Sequence, residues 1–203
     1  MQRRVLILVE NLPSPFDRRV WQEATTLREA GYAVSIICPT GKGYERRHEV
    51  LDGIHIWRYS LPTEAQGALG YALEYATALV KTFALSWKVL FSRGFDVVHA
   101  CNPPDLFFLI GGFYKLFGKK FLFDHHDANP ELYEAKFGRR DIFYRAMLVL
   151  ERWTFRTADV SIATNESYRR IAMGRGGMPA ERVFVVRSGA PGQAHDGSVY
   201  ASW

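Results

Sequence analysis

The chain has 203 residues, 48% of them hydrophobic and 14% aromatic, so it can bury the core of one domain but hardly of two substantial ones. Its 26 Lys and Arg outnumber 21 Asp and Glu, and the formal net charge of +5 suits an anionic substrate or a membrane surface. No zinc-finger spacing, RNA-binding aromatic motif or dense basic arm occurs, which argues against a nucleic-acid partner.

Two features of the sequence favour a cytoplasmic location. The two cysteines, Cys38 and Cys101, each end an apolar run, where a small buried thiol packs well. Such use of cysteine is typical of a reducing compartment. The N-terminal apolar run reaches only from Val5 to Val9, which is too short for the core of a signal peptide.

The first forty residues predict a βαβ unit. The β-branched and leucine run from Val5 to Val9 predicts a strand, and Asp17 is placed to cap the helix that follows the next loop. Gly31 ends that helix, and a second apolar strand runs from Ala33 to Cys38. The apolar face of the helix consists of Val20, Ala24 and Leu27.

The rest of the chain continues the alternation of strands and helices. Asp52-Gly53 predicts a hairpin between residues 49–51 and 54–59, and a long helix is expected over residues 69–91. Further strands are predicted at residues 95–100, 121–123, 159–163 and 183–186, with helices between them. This order predicts an α/β domain over residues 1–187, with a Rossmann-like, doubly wound and mainly parallel sheet covered by helices on both faces. Turn-forming residues from Ser188 onward predict a linker or irregular tail over residues 188–203.

Polar residues follow four of the predicted strands. Ligands of an open parallel sheet bind beyond the carboxyl ends of its strands, so these residues are the first candidates for a site. The four loops contain Glu10 and Asn11, Asn102 to Asp105, Asp124 to Asp127, and Thr164 to Ser167. We therefore predict one binding rim built from four loops.

The segment from Asp124 to Asp127 carries the densest chemistry, with two imidazoles and two carboxylates in four residues. Side chains this polar are costly beside a core unless they have a role or a partner. One alternative is structural, with Asp127 capping the next turn and the histidines bonding to neighbouring loops. A zinc or manganese site is another alternative, but adjacent side chains of an extended segment point in opposite directions, so His125 and His126 cannot easily share one ion.

The sequence lacks two common nucleotide-binding motifs. Neither a Walker-type phosphate loop nor a G-x-G-x-x-G motif occurs in it. The usual sequence argument for an ATPase or a nicotinamide-dependent dehydrogenase is therefore missing. A Rossmann-like fold by itself implies neither a cofactor nor a reaction.

Several segments, taken in order, resemble the N-terminal domain of family 4 glycosyltransferases, which have the GT-B fold. The opening segment VLILVENLPSPFDRRVWQEATTLREAGY resembles the start of that domain. Phe95 to His99 followed by Pro104-Asp105, and Asp124-x-His126-Asp127 followed by Pro130-Glu131, are similar to its recurring elements. Val183 to Gly189 resembles its last strand and crossover. The resemblance covers about residues 4 to 189.

The resemblance implies a retaining transferase built of two facing Rossmann-like domains. The N-terminal domain would hold the acceptor, a glycan or a lipid-linked molecule, and the C-terminal domain would hold the nucleotide sugar; no metal is expected. In that scheme His126 and Asp127 are the catalytic residues, with His126 near the transferred sugar and the donor phosphate. The residues assigned to the acceptor-side cleft are Asn11, Phe16, Asp17, Arg18, Asn102, Asp105, Asp124, Glu131, Asn165 and Glu166.

The sequence departs from the family in one respect. The donor domain of the family carries two glutamates separated by seven residues, and no two glutamates of this chain have that spacing. We therefore expect the donor domain to be absent from this chain, and the chain alone not to transfer sugar at a useful rate. A separate donor-domain chain is one partner that would complete it. A non-catalytic binding module, a truncated remnant and half of a sugar-nucleotide epimerase stay open as alternatives.

Two helices bear on membrane contact. Residues 69–91 are nearly all apolar, but Glu74, Lys81 and Lys88 argue against a membrane span. Such a helix either packs on the core with a thin polar edge or lies at a lipid interface. Arg145, Arg152 and Arg156 share one face of a later helix, which is either solvated or turned toward anionic lipid. Peripheral contact with an anionic inner membrane face is the corresponding prediction.

Overall fold

A computed structural model describes residues 2–61 and 67–187. In this part of the chain it has eight strands and six α-helices. The strands form one sheet in the order β3-β4-β2-β1-β5-β6-β7-β8, and the predicted α/β class with a mainly parallel sheet is confirmed. The chain divides into two compact units, one ending at His99 and the other running from Ala100 to Arg187.

The first unit contains the predicted βαβ unit and hairpin. β1 and β2 are parallel, with Val5 opposite Val34, and β2 is also parallel to β4. β3 and β4 are antiparallel. The elements of this unit are β1 (Arg4–Leu8), α1 (Arg18–Glu29), β2 (Ala33–Pro39), β3 (His48–Leu51), β4 (Ile54–Tyr59) and α2 (Gly67–Ser92).

A helix cap and a hairpin turn determine where two of these elements begin and end. The Asp17 carboxylate accepts hydrogen bonds from the backbone N–H groups of Arg19 and Val20, both at 3.1 Å, and so caps α1. Asp52 and Gly53 have φ angles of 49° and 77°, the positive values that a tight hairpin turn needs at both central positions. The predicted start of α1 and the predicted hairpin are confirmed.

The second unit continues the parallel ladder. β6 pairs with β7, and β7 with β8, in parallel. β5 (Val97–Cys101) crosses the boundary between the units. The remaining elements are α3 (Phe108–Lys115), β6 (Lys120–His125), α4 (Asn129–Phe137), α5 (Ile142–Thr157), β7 (Val160–Ala163), α6 (Glu166–Gly174) and β8 (Val183–Val185).

The end of β6 differs from the sequence prediction, which placed it at Phe123. The strand continues through His125, because Asp124 and His125 pair with Ile162 and Ala163 of β7. Both side chains are fully buried. Their polarity makes them look like loop residues in the sequence, whereas the tertiary structure encloses them.

The polar edge of α2 also differs from expectation. Glu74 and Thr77 are half-buried, and Lys81 donates a hydrogen bond from Nζ to the Ser60 carbonyl at 2.6 Å. Of the predicted polar edge, Lys88 is exposed, and its Nζ lies 4.8 Å from the ring centroid of Trp57. The strongly exposed positions include the apolar residues Leu73, Val80 and Phe91. Among the described residues, no helix is both long and apolar enough to cross a membrane.

Candidate functional site

Asn102 organises the loop that carries His126. This buried side chain follows β5, and its oxygen Oδ1 accepts hydrogen bonds from the backbone N–H groups of His126 at 2.6 Å and Asp127 at 3.1 Å. Its nitrogen Nδ2 donates to the Asp127 carbonyl at 2.7 Å and to Asp105 Oδ1 at 3.2 Å. One amide group therefore fixes the backbone at both residues predicted to be catalytic.

Asp105 connects this loop to two helices. Its Oδ2 accepts a hydrogen bond from Nδ2 of Asn129, at the start of α4, at 2.7 Å. Its backbone carbonyl accepts one from Oγ1 of Thr154, in α5, at 3.3 Å. Burial raises the pKa of the Asp105 carboxyl to about 7, although the hydrogen bonds from Asn129 and Asn102 act in the opposite direction.

Asp124 and His126 form a side-chain pair at the end of β6. They are two residues apart on an extended segment, so both side chains point to the same side, and Nε2 of His126 is bonded to the Asp124 carboxylate. Asp124 is fully buried, and 13% of the His126 side chain is exposed. A carboxylate at one ring nitrogen fixes the orientation of an imidazole and the tautomer it adopts. The pair thus presents a preoriented ring at the carboxyl end of a parallel strand.

His125 lies in a separate aromatic environment. Its ring centroid is 4.9 Å from that of Tyr168, 5.2 Å from that of Phe155 and 5.5 Å from that of Phe123. Within the described part of the chain, neither ring nitrogen has a hydrogen-bond partner. Burial, followed by the positive charge of Arg175, lowers the pKa of His125 to about 4. His125 is therefore a neutral, packed side chain, whereas His126 is partly exposed.

Arg175 bridges two glutamates behind His125. Its Nε and Nη2 donate to the carboxylate of the fully buried Glu151 at 2.6 and 2.7 Å, and its Nη2 also donates to Glu131 at 3.1 Å. Burial raises the pKa of Glu151, and Arg175 counteracts that shift. Burial would also raise the pKa of Glu131, but the hydrogen bond from Arg175 turns the net shift downward. Glu131, which was predicted on the acceptor side of the cleft, is thus paired with Arg175, which also pairs with Glu151.

Asn165 and Glu166 lie at the start of α6. The Asn165 side-chain oxygen accepts hydrogen bonds from the backbone N–H groups of Ser167 at 2.9 Å and Tyr168 at 3.2 Å, so it caps the helix. Glu166 is exposed and lies 3.5 Å from the Arg169 guanidinium. Both have local partners, and their predicted contact with an acceptor stays a prediction.

The predicted site residues of the first unit lie in the loop after β1 and at the start of α1. Asn11 and Arg18 are exposed, and so is Phe16, whose ring centroid is 6.4 Å from that of Tyr44. Asp17 is buried as the cap of α1. In the same loop the pKa of the buried Glu10 is raised to about 7, first by burial and then by the charge of Glu74.

A family assignment follows from comparison with known proteins. Residues 17–191 match the model described as Glycosyltransferase Family 4. This chain belongs to glycosyltransferase family 4. The resemblance noted from the sequence is thereby confirmed over most of the chain. No curated protein matches it significantly.

Solved structures agree with the GT-B fold of this family 4 chain. Sucrose-phosphate synthase of Thermosynechococcus elongatus matches with a TM-score of 0.66 and 14% identity, over 93% of this chain and 49% of that one. Arabidopsis thaliana UGT89C1 complexed with UDP matches at 0.60 and 12%, over 94% and 50%. UDP-GlcNAc 2-epimerase of Methanocaldococcus jannaschii matches at 0.55 and 12%, over 90% and 45%. The family 4 chain thus spans about half the length of these proteins, and at such identities the likeness shows the fold alone.

Three residues around the site of this family 4 chain escaped the sequence analysis. Asn129 and Arg175 are not among the site residues predicted from the sequence, although Arg175 directly follows the end of α6. Glu151 left one usable signal, because it falls on the buried face of α5 together with Thr154 and Phe155. A carboxylate on an apolar helix face needs a partner, but the sequence does not tell which residue supplies it.

Proposed function

We propose that this family 4 domain binds the acceptor in a retaining transfer of a sugar from a nucleotide sugar to a glycan or a lipid-linked molecule. The observation that carries the proposal is the preoriented His126. Its backbone is held by Asn102 and its imidazole by Asp124, in a loop at the carboxyl end of β6. This is the edge at which open parallel sheets bind their ligands.

The proposed chemistry is electrostatic stabilisation of the transition state. The sugar carbon gains positive charge as the bond to the pyrophosphate breaks, and the leaving pyrophosphate gains negative charge. Preoriented hydrogen-bond donors stabilise such charge without having to reorganise. With Nε2 bonded to the Asp124 carboxylate, the ring carries a hydrogen on Nδ1 only as an imidazolium, and in that form it can donate to a sugar hydroxyl or to a donor phosphate. In this proposal His126 has that role, and Asp127 is the second polar group beside the transferred sugar.

The donor and the remaining partners belong to the same proposal. A nucleotide sugar is the donor, no metal is required, and a donor domain completes the site. Asn11, Phe16 and Arg18 offer exposed side chains for an acceptor. Arabidopsis UGT89C1, which has a similar fold, is complexed with UDP, and this supports a nucleoside diphosphate as the leaving group.

An epimerase half is the second candidate, because one similar structure is a UDP-GlcNAc 2-epimerase. That likeness rests on the fold, which glycosyltransferases and epimerases share. The family match over residues 17–191 favours transfer.

The test uses the chain alone and the chain co-expressed with a family 4 donor domain. Each preparation is incubated with radiolabelled nucleotide sugars and with glycan or lipid-linked acceptors. We expect labelled acceptor only with the donor domain present. Turnover by the chain alone would contradict the need for a donor domain, and a label that stays nucleotide-linked as an epimer would favour the second candidate.

Variants then test the role of His126. We expect His126→Ala to lower the transfer rate by roughly 100-fold, the lower end for a group acting in the transition state. Asp124→Asn should reduce the rate less, because the ring is retained but loses its orienting carboxylate. His48→Ala, an exposed histidine on β3, is the matched control and should keep the rate. Equal rates for His126→Ala and His48→Ala would refute the assignment.

A further inference from the structure

We propose that one exposed face of α5 docks on an anionic lipid bilayer. The inference concerns the second unit alone and does not depend on the proposed transfer reaction. The surface, called the α5 face below, consists of Ile142, Arg145, Val149, Arg152, Trp153 and Arg156.

The apolar members of the α5 face form one stripe. Ile142, Val149 and Trp153 are exposed by 71%, 54% and 52% of their surface. At 3.6 residues per turn their directions fall within an arc of about 40°. Apolar side chains this exposed, aligned over the length of a helix, mark a surface that contacts something other than water.

The cations of the α5 face lie along one flank of that stripe. Arg145, Arg152 and Arg156 are exposed, and none of them forms an ion pair with a carboxylate of the described residues. The Arg156 guanidinium lies 5.9 Å from the ring centroid of Trp153. By contrast, the arginines just before α5 are paired, Arg139 with Asp141 at 2.9 Å and Arg140 with Glu134 at 2.8 Å.

The helix carries no opposing charge on this side. Glu151 is the one carboxylate between Ile142 and Thr157, and it is fully buried and bonded to Arg175. The α5 face therefore presents positive charge and apolar surface only. A partner with negative charge over an apolar layer complements both.

The end of α3 extends the apolar surface. Lys115 donates hydrogen bonds from Nζ to the Thr157 carbonyl at 2.8 Å and to Asp159 at 2.9 Å, which ties the end of α3 to the end of α5. Directly after Lys115, Leu116 and Phe117 are exposed, Leu116 by 81%. A second apolar projection thus lies beside the C-terminal end of the α5 face.

The combination of a basic flank and an apolar stripe favours an anionic bilayer as the occupant. Tryptophan prefers the membrane interface, and arginine can lay its methylene stem along apolar surface while its guanidinium reaches the headgroups. Each cation at an anionic membrane surface strengthens binding roughly fivefold. Three arginines beside an apolar stripe match the composition of helices that lie in the interface plane.

The experiment is vesicle co-sedimentation of the full chain at 100 mM salt, without any sugar donor. Vesicles of phosphatidylcholine alone are compared with vesicles containing 30% phosphatidylglycerol. We expect binding to the anionic vesicles, and R145Q/R152Q/R156Q should lower the partition coefficient by on the order of 100-fold. The matched control, K42Q/R46Q/R47Q, removes the same charge from exposed positions of the first unit and should change it only a few-fold.

A second pair of variants tests the apolar stripe. I142S/W153S should weaken binding, whereas L73S/V80S removes comparably exposed apolar side chains from α2 and should not. Brominated lipid should quench the fluorescence of the wild-type chain more than that of W153F. Circular dichroism shows whether each variant is folded.

Three results would overturn the inference. Equal partition into neutral and anionic vesicles would show that the arginines do not contribute to binding. Equal losses of vesicle binding in the two triple variants would show that binding depends on the net charge of the chain and not on the α5 face. A concentration-dependent dimer that R145Q/R152Q/R156Q dissociates would assign the α5 face to a second copy of the chain. None of these results depends on sugar transfer, so they leave the proposed function to its own test.

Discussion

Asn102 and His126 are 24 positions apart, and the side-chain oxygen of Asn102 accepts a hydrogen bond from the backbone N–H of His126 at 2.6 Å. The same oxygen accepts a second bond from Asp127. Because an enclosed N–H without a partner is costly, this amide determines the path of the loop that carries both predicted catalytic residues.

Replacing Asn102 by alanine should therefore loosen that loop specifically. We expect Asn102→Ala to lower the free energy of unfolding by roughly 2–3 kcal/mol, since partners are left unsatisfied. It should also speed hydrogen exchange at the amides of His126 and Asp127 more than tenfold. Asn165→Ala is the control, because Asn165 also accepts two backbone N–H groups but caps α6, which is worth about 1 kcal/mol. Urea unfolding and NMR-detected exchange measure both, and unchanged exchange at His126 in Asn102→Ala would contradict the prediction.

Arg175 should contribute to the stability of the chain mainly by pairing with the buried carboxylate of Glu151. Arg175→Met leaves a fully buried carboxylate unpaired, and we expect a loss of about 3 kcal/mol or more at neutral pH. The pKa of Glu151 in the folded state, already raised by burial, should rise further. A raised carboxyl pKa costs stability as pH rises, so the loss should be greater at pH 8 than at pH 5.

Two variants separate this effect from a surface ion pair. Glu131→Gln removes the partly exposed partner of Arg175 and should cost less than about 1 kcal/mol. Glu151→Gln combined with Arg175→Met removes the buried charge and should recover much of the stability. Urea unfolding at both pH values is the measurement, and a pH-independent loss in Arg175→Met would rule out the buried Glu151 charge as its cause.

His125 should make the folded chain sensitive to acid. Its pKa is lowered to about 4 in the folded state, so between its ordinary value of 6.5 and about 4 the unfolded chain binds a proton that the folded chain does not. Stability contributed by the neutral ring is therefore lost as pH falls. His125→Leu should gain about 2 kcal/mol relative to wild type on going from pH 7 to pH 5.

Asp105→Asn provides the opposite comparison. The pKa of Asp105 is raised to about 7, so the folded chain binds the extra proton and wild type gains stability from this group as pH falls. Relative to wild type, Asp105→Asn should thus lose stability between pH 7 and pH 5. The two variants are followed by urea unfolding across that range, and parallel pH profiles for His125→Leu and wild type would show that the pKa of His125 is the same in the folded and the unfolded chain.

Adjacent glycines of α3 should respond oppositely to alanine. A Cβ at Gly111 would lie 2.3 Å from the Phe121 ring of β6, whereas one at Gly112 would lie 3.4 Å from Cγ2 of Thr157. We expect Gly111→Ala to destabilise the chain by roughly 1–3 kcal/mol through overpacking. Gly112→Ala should stabilise it by up to about 1 kcal/mol through helix propensity. Thermal unfolding of both variants checks this, and similar effects would mean that the helix can shift away from β6.

Much of the fold is readable from the sequence because its signals are local. The apolar runs of β1 and β2, the Asp17 cap and the Asp52-Gly53 turn each act within a few residues. The sequence also predicts polar segments after four strands, and their forming one binding rim stays a prediction. His126 and Asp127 lie next to one such strand end.

What only the tertiary structure decided is which polar side chains meet and which faces stay exposed. Arg175 binds Glu131 and Glu151, which are 44 and 24 positions away, and Asn102 closes the loop at His126. Composition and spacing do not identify such partners, because a hydrogen bond between distant residues depends on where the chain returns. The same reason applies to α5, since an apolar or charged residue of a helix becomes buried or exposed only when neighbouring elements cover one side and leave the other to solvent.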